Sequence, residues 1–199
     1  MTEREKMLAG LWYDPSDPEL CRQRDHARDR AEEFNRTTES EKEKRQKILK
    51  ALLGSMGQYS EIYPYVKFDY GCNTYLGDRC YINFNATFLD CGEIRLGSDV
   101  FVGPNVSFLT PIHPLRAEER NVRFAPDGHH YTLEACKPIL VEDRVWIGGN
   151  VVILPGVTIG HDSVIGAGSV VTKNIPAGVI AVGNPCRVLR KVEESDRIK

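Results

Sequence analysis

The sequence predicts a mainly β protein: a left-handed parallel β-helix with a triangular cross-section and a small α-helical cap at its N-terminus. Three observations predict this fold. An aliphatic residue recurs at every sixth position in the second half of the chain. The first 58 residues are dense in Glu, Lys and Arg and carry helix-start signals. The six-residue period is interrupted between Thr110 and Pro138, which predicts a long loop extruded from the β-helix.

The cap is predicted over residues 1–58. Three pairs have the spacing of helix starts, the first and third as capping boxes and the second as an N-cap followed by proline: Thr2 and Glu5, Asp17 and Pro18, and Ser40 and Glu43. Two sets of apolar residues follow a helical spacing: Leu20, Ala27, Ala31 and Phe34, then Ile48, Leu49, Leu52 and Leu53. Helices with such narrow apolar faces need a surface to pack on, so we expect a cap and not an independent domain.

The β-helix is predicted over residues 59–188, with the extruded loop at 110–138 and a C-terminal tail at 189–199. Two blocks carry the period, the first with a two-residue slip after its third member: Leu76, Ile82, Phe88, Leu96, Val102 and Phe108, then Val141, Ile147, Ile153, Ile159, Ile165 and Val171. An α-helix or an ordinary meander gives no such period. Six residues therefore form one short strand and one corner, with the aliphatic side chain pointing inward, and three hexads complete a coil.

Glycine often follows the inward-pointing aliphatic residue, as at Gly77, Gly97 and Gly148. Glycine and asparagine tolerate backbone conformations that other residues avoid. We therefore expect glycine or asparagine to adopt the strained backbone at the corners of the triangle.

Composition excludes several classes of function. The 26 basic and 28 acidic residues nearly balance, so the chain is not a general nucleic-acid or membrane-surface binder. It lacks the run of about 20 apolar residues that spans a bilayer, and its charged opening is not a signal peptide. A cytoplasmic location is the default expectation. The six cysteines are dispersed without a C-x-x-C pair, which argues against a zinc site and indicates that most of them are small buried side chains: Cys21, Cys72, Cys80, Cys91, Cys136 and Cys186.

The extruded loop carries the candidate catalytic residue, His113, between Pro111 and Pro114. Long loops inside a solenoid are usually functional, and imidazole is an efficient proton acceptor near neutral pH. His129 and His130 lie beside a glycine at a predicted loop tip. A metal site formed by these two with a carboxylate is conceivable, but the spacing is generic and no metal requirement is expected.

Several stretches carry a family resemblance. The hexapeptide repeat, the loop histidine and the closing run IGAGSVVTKNIPAGVIAVGNPCRVLRK resemble the bacterial hexapeptide acyltransferases. More narrowly, EKMLAGLWYDPSDPEL, YINFNATFLD, GPNVSFLTPIHPL and VWIGGNVVILPGVTIG resemble maltose and galactoside O-acetyltransferases. The resemblance implies acetyl-CoA as co-substrate, a sugar hydroxyl as acceptor, His113 as general base, and a homotrimer with active sites between adjacent β-helices.

The resemblance also implies roles for individual residues. Positions matching acceptor-binding residues are Asn83, Tyr81, Asp14, Arg24, Asp69 and Glu134. Positions matching the pantetheine site are Trp146, Gly149 and Ala167, and those matching the nucleotide end of CoA are Thr172, Lys173, Arg187 and Arg190. Each polar member could instead be an ordinary surface or turn residue. Lysine and arginine suit the phosphates of CoA.

The chain departs from the galactoside type at three places. Cys91 stands where that type has an acidic residue, although Asp90 is adjacent, and Gly149 replaces a serine. The stretch APDGHHYTLEAC lengthens the loop. The change at Cys91 and the longer loop weaken galactoside specificity and favour the maltose-like branch, without identifying the acceptor. At Gly149 a backbone N–H can still reach the thioester oxygen, so that change need not remove oxyanion stabilisation.

The predicted function is acetyl transfer from acetyl-CoA to a sugar such as maltose, glucose or a galactoside. Two alternatives stay open at this stage. A hexapeptide acetyltransferase could act on an amino sugar, a lipo-oligosaccharide, an antibiotic or a serine. A non-enzymatic β-helix could serve as a scaffold, an ice-binding surface or a metal protein, although regular threonine rows are absent.

Overall fold

The computed structural model describes residues 1–198, and the last residue of the predicted tail lies outside the described range. The cap contains three helices: α1 (Glu3–Leu8), α2 (Pro18–Asn35) and α3 (Lys42–Leu52). The first two predicted helix starts are confirmed. The Thr2 side chain and Glu5 form a capping box, and the Asp17 carboxylate accepts from two backbone N–H groups of α2. Within residues 1–198, no helix combines the length and apolar character needed to cross a membrane.

The third predicted helix start, the capping box of Ser40 and Glu43, is wrong. Helix α3 begins one residue later than that box requires, with Glu41 as its N-cap. The Glu41 carboxylate accepts from the Thr38 backbone N–H at 2.8 Å, while the Glu41 N–H donates to the Thr38 carbonyl at 3.1 Å. This reciprocal pairing fixes a turn ahead of the helix and displaces the predicted box.

The cap packs on the β-helix through the predicted apolar stripes. Leu20 is buried in a separate cluster with Tyr13 and Tyr70, and the other buried members belong to the same hydrophobic cluster as the interior of the β-helix: Ala27, Ala31, Phe34, Ile48, Leu49, Leu52 and Leu53. Burial of apolar surface contributes roughly 25 cal/mol for each Å² removed from water, and this holds such narrow-faced helices in place. The cap therefore closes the first coil and shares its core.

In the part of the chain that the structure describes, five coils of the β-helix contain three short strands each, and a last, partial coil contains one. The first three coils contain β1 (Ser55–Met56), β2 (Glu61–Ile62), β3 (Lys67–Phe68), β4 (Thr74–Leu76), β5 (Tyr81–Ile82), β6 (Thr87–Leu89), β7 (Ile94–Leu96), β8 (Phe101–Val102) and β9 (Ser107–Leu109). The extruded loop contains β10 (Pro111–Ile112), α4 (Ala117–Arg120), β11 (Arg123–Phe124), β12 (His130–Tyr131) and β13 (Ala135–Cys136). The remaining coils contain β14 (Ile139–Val141), β15 (Trp146–Ile147), β16 (Val152–Ile153), β17 (Thr158–Ile159), β18 (Val164–Ile165), β19 (Val170–Val171) and β20 (Val179–Val182); β21 (Arg187–Lys191) and a 3-10 turn (Glu194–Asp196) follow.

Strands stack in parallel register from coil to coil and form three faces. The first face is β1-β4-β7-β14-β17, the second β2-β5-β8-β15-β18-β20 with antiparallel β21 at its end, and the third β3-β6-β9-β16-β19. The turns between the second and third faces, which carry Asn85, Asn105 and Asn150, are called the asparagine edge. The turns between the third and first faces, from which the loop leaves after β9, are called the loop edge. Strand β1 lies before residue 58, inside the range predicted for the cap. The predicted domain boundaries themselves stay predictions.

The predicted interior is confirmed at all twelve repeat positions. None of these side chains is more than 3% exposed, from Leu76 to Val171. The Phe68, Phe88 and Phe108 rings stack at centroid distances of 5.1 and 4.8 Å and fill the third face. The two-residue slip lies in the corner after β6, at the loop edge. The six-residue period therefore predicts which side chains point inward. The two-residue slip marks the corner that contains two additional residues.

The expectation that glycine or asparagine takes the strained corner backbone is confirmed at several corners, but not for the glycines that directly follow the repeat aliphatic residues. Positive φ is carried by asparagines such as Asn85, Asn105 and Asn150 near +60°, and by glycines elsewhere in the corners, such as Gly156 at +81° and Gly168 at +73°. The glycines after the aliphatic residues serve close approach instead. A Cβ at Gly77 would lie 2.6 Å from the Gly97 carbonyl carbon in the next coil. Glycine is required there because adjacent coils touch backbone to backbone.

Candidate active site

His113 lies at the stem of the extruded loop. Strand β10 pairs antiparallel with β13, which places the histidine just beyond the loop edge. Its Nδ1 lies 3.2 Å from the Leu133 carbonyl oxygen. A carbonyl only accepts hydrogen bonds, so this contact assigns the ring proton to Nδ1 and leaves the Nε2 lone pair available. The side chain is 50% exposed, so a substrate can reach it.

Glu134 faces the available nitrogen of His113. Its Oε2 lies 3.7 Å from His113 Nε2, and its Oε1 accepts from the Tyr13 hydroxyl. Backbone hydrogen bonds of 2.8 and 3.1 Å also join Tyr13 to Glu134. Burial raises the pKa of Tyr13 above its usual value, so the phenol stays protonated and donates. The cap and the loop therefore hold one carboxylate beside the imidazole.

Arg24 and Asp69, two predicted acceptor residues, are engaged within the protein. Arg24 donates to the Tyr70 hydroxyl at 2.8 Å and to the Pro15 carbonyl at 2.7 Å. Asp69 is 9% exposed and accepts from Arg28 at 2.7 Å. Arg24 lies in α2, and Asp69 lies in the turn that follows β3 at the loop edge. In this arrangement they join the cap to the first coil.

Asp90 and Cys91 lie in the turn that follows β6 at the loop edge. The Cys91 thiol is 3.8 Å from an Asp69 oxygen, and burial followed by the Glu134 charge raises the pKa of that thiol above its usual value. Asp90 points inward and accepts from the Tyr70 N–H at 2.8 Å and the Thr74 hydroxyl at 3.0 Å. Burial raises the pKa of Asp90 to about 6. Asp90 therefore does not replace the acidic side chain that Cys91 lacks.

Asp14 lies where the cap approaches the tip of the loop. His129 Nε2 is 3.5 Å from Asp14 Oδ2, and His129 Nδ1 is 2.6 Å from Asp127 Oδ1. The hydrogen bond to Asp127 raises the pKa of His129. A cavity of about 960 Å³ lies beneath this contact, between cap and loop. Among residues 1–198, no three His, Cys, Asp or Glu side chains are grouped to hold a metal ion.

Asn83 and Tyr81 do not lie at the loop edge. Tyr81 projects from the second face in a column with Phe101 and Trp146. Asn83 follows at the asparagine edge, where its side-chain oxygen accepts from the Phe84 N–H at 2.8 Å. The parallel register aligns the turns that contain Asn83, Gly149 and Ala167. These two acceptor candidates therefore share an edge with the pantetheine candidates and lie across the third face from His113.

The four candidates for the nucleotide end of CoA lie at the C-terminal end of the β-helix. Thr172 and Lys173 follow β19 and are exposed, as are Arg187 and Arg190 on β21. Both terminal nitrogens of Arg190 donate to Asp196 at 2.7 Å. The Arg187 guanidinium donates to the Cys186 carbonyl at 2.8 Å. This end thus presents three cations, one of which has an internal carboxylate partner.

Sequence reasoning missed Tyr13, Leu133 and Trp12. Tyr13 and Leu133 orient the groups around His113, and Trp12 lines the cavity. A signal for Tyr13 was present, since it directly precedes Asp14 in the motif LWYD. No local pattern links it to Glu134, which is 121 positions away.

The sequence and the fold match known proteins. A model described as the maltose acetyltransferase hexapeptide capping motif matches residues 6–57, and one described as bacterial transferase hexapeptide (six repeats) matches residues 138–173. A solved maltose O-acetyltransferase from Clostridium difficile 630 is 44% identical, with a TM-score of 0.90 over 98% of this chain and 99% of that one. The galactoside O-acetyltransferase of Escherichia coli (strain K12) is 42% identical over 83% of this chain and 77% of its own length. The chain belongs to the maltose and galactoside O-acetyltransferase family.

A third relative was solved with a ligand bound. A solved hexapeptide-repeat acetyltransferase from Vibrio cholerae, complexed with acetyl coenzyme A, is 36% identical, with a TM-score of 0.85 over 98% of this chain and 100% of that one. The predicted left-handed parallel β-helix is confirmed by the parallel register together with these matches. This family member is an acetyltransferase.

Proposed function

We propose that this acetyltransferase moves an acetyl group from acetyl-CoA to a hydroxyl of a sugar such as maltose or glucose, with His113 as general base. One observation carries the proposal: the Leu133 carbonyl holds Nδ1 of the half-exposed imidazole, which leaves Nε2 beside Glu134. A correctly oriented neutral imidazole is what general-base catalysis of hydroxyl attack requires.

The reaction needs no covalent enzyme intermediate. Nε2 of His113 takes the proton of the acceptor hydroxyl as its oxygen forms a bond to the thioester carbonyl carbon. The tetrahedral intermediate collapses with cleavage of the C–S bond, and the imidazolium returns the proton to the CoA thiolate. The Glu134 carboxylate, 3.7 Å from Nε2, stabilises the transient positive charge on the ring. Orientation of the two substrates contributes in addition.

The asparagine edge supplies a candidate oxyanion donor. Among the described residues, no protein acceptor takes the Gly149 N–H. An N–H group aimed at the developing oxyanion contributes more in a water-excluded site than in solvent. The neighbouring Trp146 and Ala167 are exposed and would flank the pantetheine arm. Thr172, Lys173, Arg187 and Arg190 would receive the nucleotide end and its phosphates.

A homotrimer would complete the site. The His113 set lies on the loop edge and the Asn83 set on the asparagine edge, separated by a face of six residues, or roughly 15–20 Å at the rise of a β-strand. Both halves meet if the asparagine edge of one copy docks against the loop edge of the next. Phe101 and Trp146 are 53% and 58% exposed on the second face, as expected of side chains that a partner or ligand covers.

A change at His113 tests this function. Acetyl transfer from acetyl-CoA to maltose, glucose and galactosides is followed by release of free thiol, and His113→Ala is compared with wild type. We expect kcat/KM to fall about 10²–10⁴-fold, the usual contribution of general-base catalysis. The exposed His161 on the β-helix provides a matched control, His161→Ala, which should retain wild-type activity. Unchanged activity of His113→Ala would remove His113 as the base.

A further inference from the structure

We infer that His129 is a positioning residue, which in its protonated form holds the tip of the extruded loop against the cap through Asp14. The tip is the turn that joins β11 to β12. The two contacts of the His129 ring, with Asp127 in the tip and with Asp14 in the cap, are called the clasp. This inference goes beyond the proposed function, because it concerns how the loop is held and not which reaction the site performs.

The tip is a closed turn that fixes the His129 ring. Strands β11 and β12 pair antiparallel, and the Ala125 N–H donates to the His129 carbonyl at 2.9 Å. One oxygen of Asp127 accepts from the His129 backbone N–H at 3.2 Å and lies 2.6 Å from Nδ1 of the ring. The other ring nitrogen, Nε2, is thereby directed at the cap, where it lies 3.5 Å from Asp14 Oδ2.

Asp14 is held by the cap with one oxygen directed at the loop. Its Oδ1 accepts from the Ser16 N–H at 2.8 Å and from the Ser16 hydroxyl at 2.6 Å. Its own backbone N–H donates to Glu3 at 2.6 Å. Its Oδ2 is the oxygen that faces His129, so both partners of the contact are oriented by local hydrogen bonds.

The contact between His129 and Asp14 depends on a proton. An ionised carboxylate only accepts hydrogen bonds, so the contact with Asp127 assigns the proton of the neutral ring to Nδ1. Nε2 of the neutral ring then presents a lone pair to Asp14, and two acceptors face each other. Protonation of Nε2 turns this nitrogen into a donor and places a positive charge between two carboxylates, which closes the clasp.

The surrounding charges favour the protonated ring. The other titratable side chains that line the same cavity are Glu3, Lys6, Tyr13, Asp17, His130 and Tyr131. Lys6 pairs with Glu3 at 2.6 Å, which leaves an excess of negative charge around His129. The hydrogen bond to Asp127, with a further contribution from Asp14, raises the pKa of His129 above its ordinary value of about 6.5. The clasp is therefore closed at about pH 6 and opens as the pH rises through this raised value.

The clasp belongs to the longer loop. Asp127 and His129 both lie in the stretch APDGHHYTLEAC, which lengthens the loop relative to the galactoside type. The stem of the same loop carries His113 and Glu134, which lie on either side of the β10–β13 pairing. A tip held against the cap therefore fixes the far end of the segment that carries the proposed base.

Cleavage by chymotrypsin after Phe124 tests the clasp without any acceptor. Phe124 is 78% exposed and pairs with His130 beside the tip, so cleavage there reports release of the tip from the cap. Each rate is divided by the rate for His129→Ala at the same pH, which cancels the pH dependence of the protease. Wild type should be cleaved about two- to fivefold more slowly than His129→Ala at about pH 6, the effect of an exposed ion pair, and equally fast at about pH 9. The neighbouring exposed histidine provides the matched control, His130→Ala, which should behave as wild type.

A second variant and a kinetic measurement extend the test. Asp127→Asn removes the carboxylate that raises the pKa of His129, so the pH at which protection is lost should fall. Under the proposed function, His129→Ala should raise the KM for the sugar about two- to fivefold at about pH 6, because Asp14 is then less well held, and should leave it unchanged at about pH 9. The KM for acetyl-CoA should not change at either pH.

The outcomes separate the clasp from the proposed function. Equal cleavage of wild type and His129→Ala at about pH 6, or equal protection at about pH 6 and pH 9, would overturn the clasp whatever the activity. Protection lost equally in His130→Ala, or an unchanged midpoint in Asp127→Asn, would contradict the assigned contacts. A wild type that acetylates no sugar would contradict the proposed function, and the cleavage rates would still decide the clasp.

Discussion

At the level of single residues, the site is held by long-range partners. His113 is a candidate from the sequence because it stands at the interruption of a strict period, between two prolines, and because that position matches the family's catalytic base. Its orientation could not be predicted, because the Leu133 carbonyl reaches it only when β10 pairs with β13. Glu134 was expected near the acceptor, but its support by Tyr13 depends on a bridge between cap and loop. Side chains whose positions depend on tertiary pairing cannot be predicted from any local sequence pattern.

Asp90 predicts a distinctive pH dependence of stability. Burial raises its pKa to about 6 from an ordinary value near 4, so the folded chain binds this proton more tightly than the unfolded chain does. Its stabilising contribution is therefore present below about pH 4 and is lost as the pH rises through about 6. Compared with Asp90→Asn, the neutral isostere, wild type should lose about 2–3 kcal/mol of unfolding free energy between about pH 4 and pH 7.

Urea unfolding of wild type and Asp90→Asn at a series of pH values measures this difference. The other titrating groups are common to both proteins and cancel. A difference that stays constant from about pH 4 to pH 7, or that grows in favour of wild type, would contradict the assignment of a buried, proton-binding Asp90.

At the level of elements, the period determined the strands and the inward side chains. The corners were predicted less well, because glycine after each aliphatic residue has two possible causes that a sequence does not separate. One cause is positive φ and the other is close approach between coils. The structure shows close approach at Gly77 and positive φ at residues such as Asn85. The third helix start failed for a related reason, since Thr38 and Glu41 formed a competing local pair.

Two glycine substitutions distinguish these causes. Gly77→Ala places a Cβ 2.6 Å from backbone of the next coil and should destabilise the fold by about 1–3 kcal/mol. Gly168, at φ +73°, has open space within 4 Å of the point where a Cβ would lie, and it is in register with Asn150. Gly168→Asn should therefore be tolerated and extend the asparagine row, whose members Asn105 and Asn150 already bond at 3.1 Å.

Thermal unfolding of the two variants provides the measurement. Equal stability of Gly77→Ala and wild type would show that the coils can separate locally, which the backbone contact argues against. Strong destabilisation by Gly168→Asn would mean that the asparagine edge does not accept a further side chain.

At the level of the whole molecule, the candidates for the base, the acceptor and the pantetheine arm divide between two edges of one triangular solid. Sequence resemblance implied active sites between adjacent β-helices, but it did not indicate which candidates lie on which edge. Asn83 lies on the asparagine edge with Gly149, and Glu134 lies on the loop edge with His113. The position of each edge along the sequence follows from the six-residue period. How the edges of neighbouring copies would pair depends on the surface of a second copy. Under the proposed homotrimer, a complete site is formed only when two copies assemble.

Mixing two inactive variants tests that central claim most directly. His113→Ala lacks the base and Asn83→Ala lacks the acceptor contact, so each alone should have little activity. If every site takes its loop edge from one copy and its asparagine edge from the next, random trimers from an equal mixture should contain intact sites at about one quarter of the wild-type number. After unfolding and refolding together, the mixture should therefore recover about a quarter of wild-type acetyl transfer. A mixture no more active than the average of the two variants would contradict a site shared between copies.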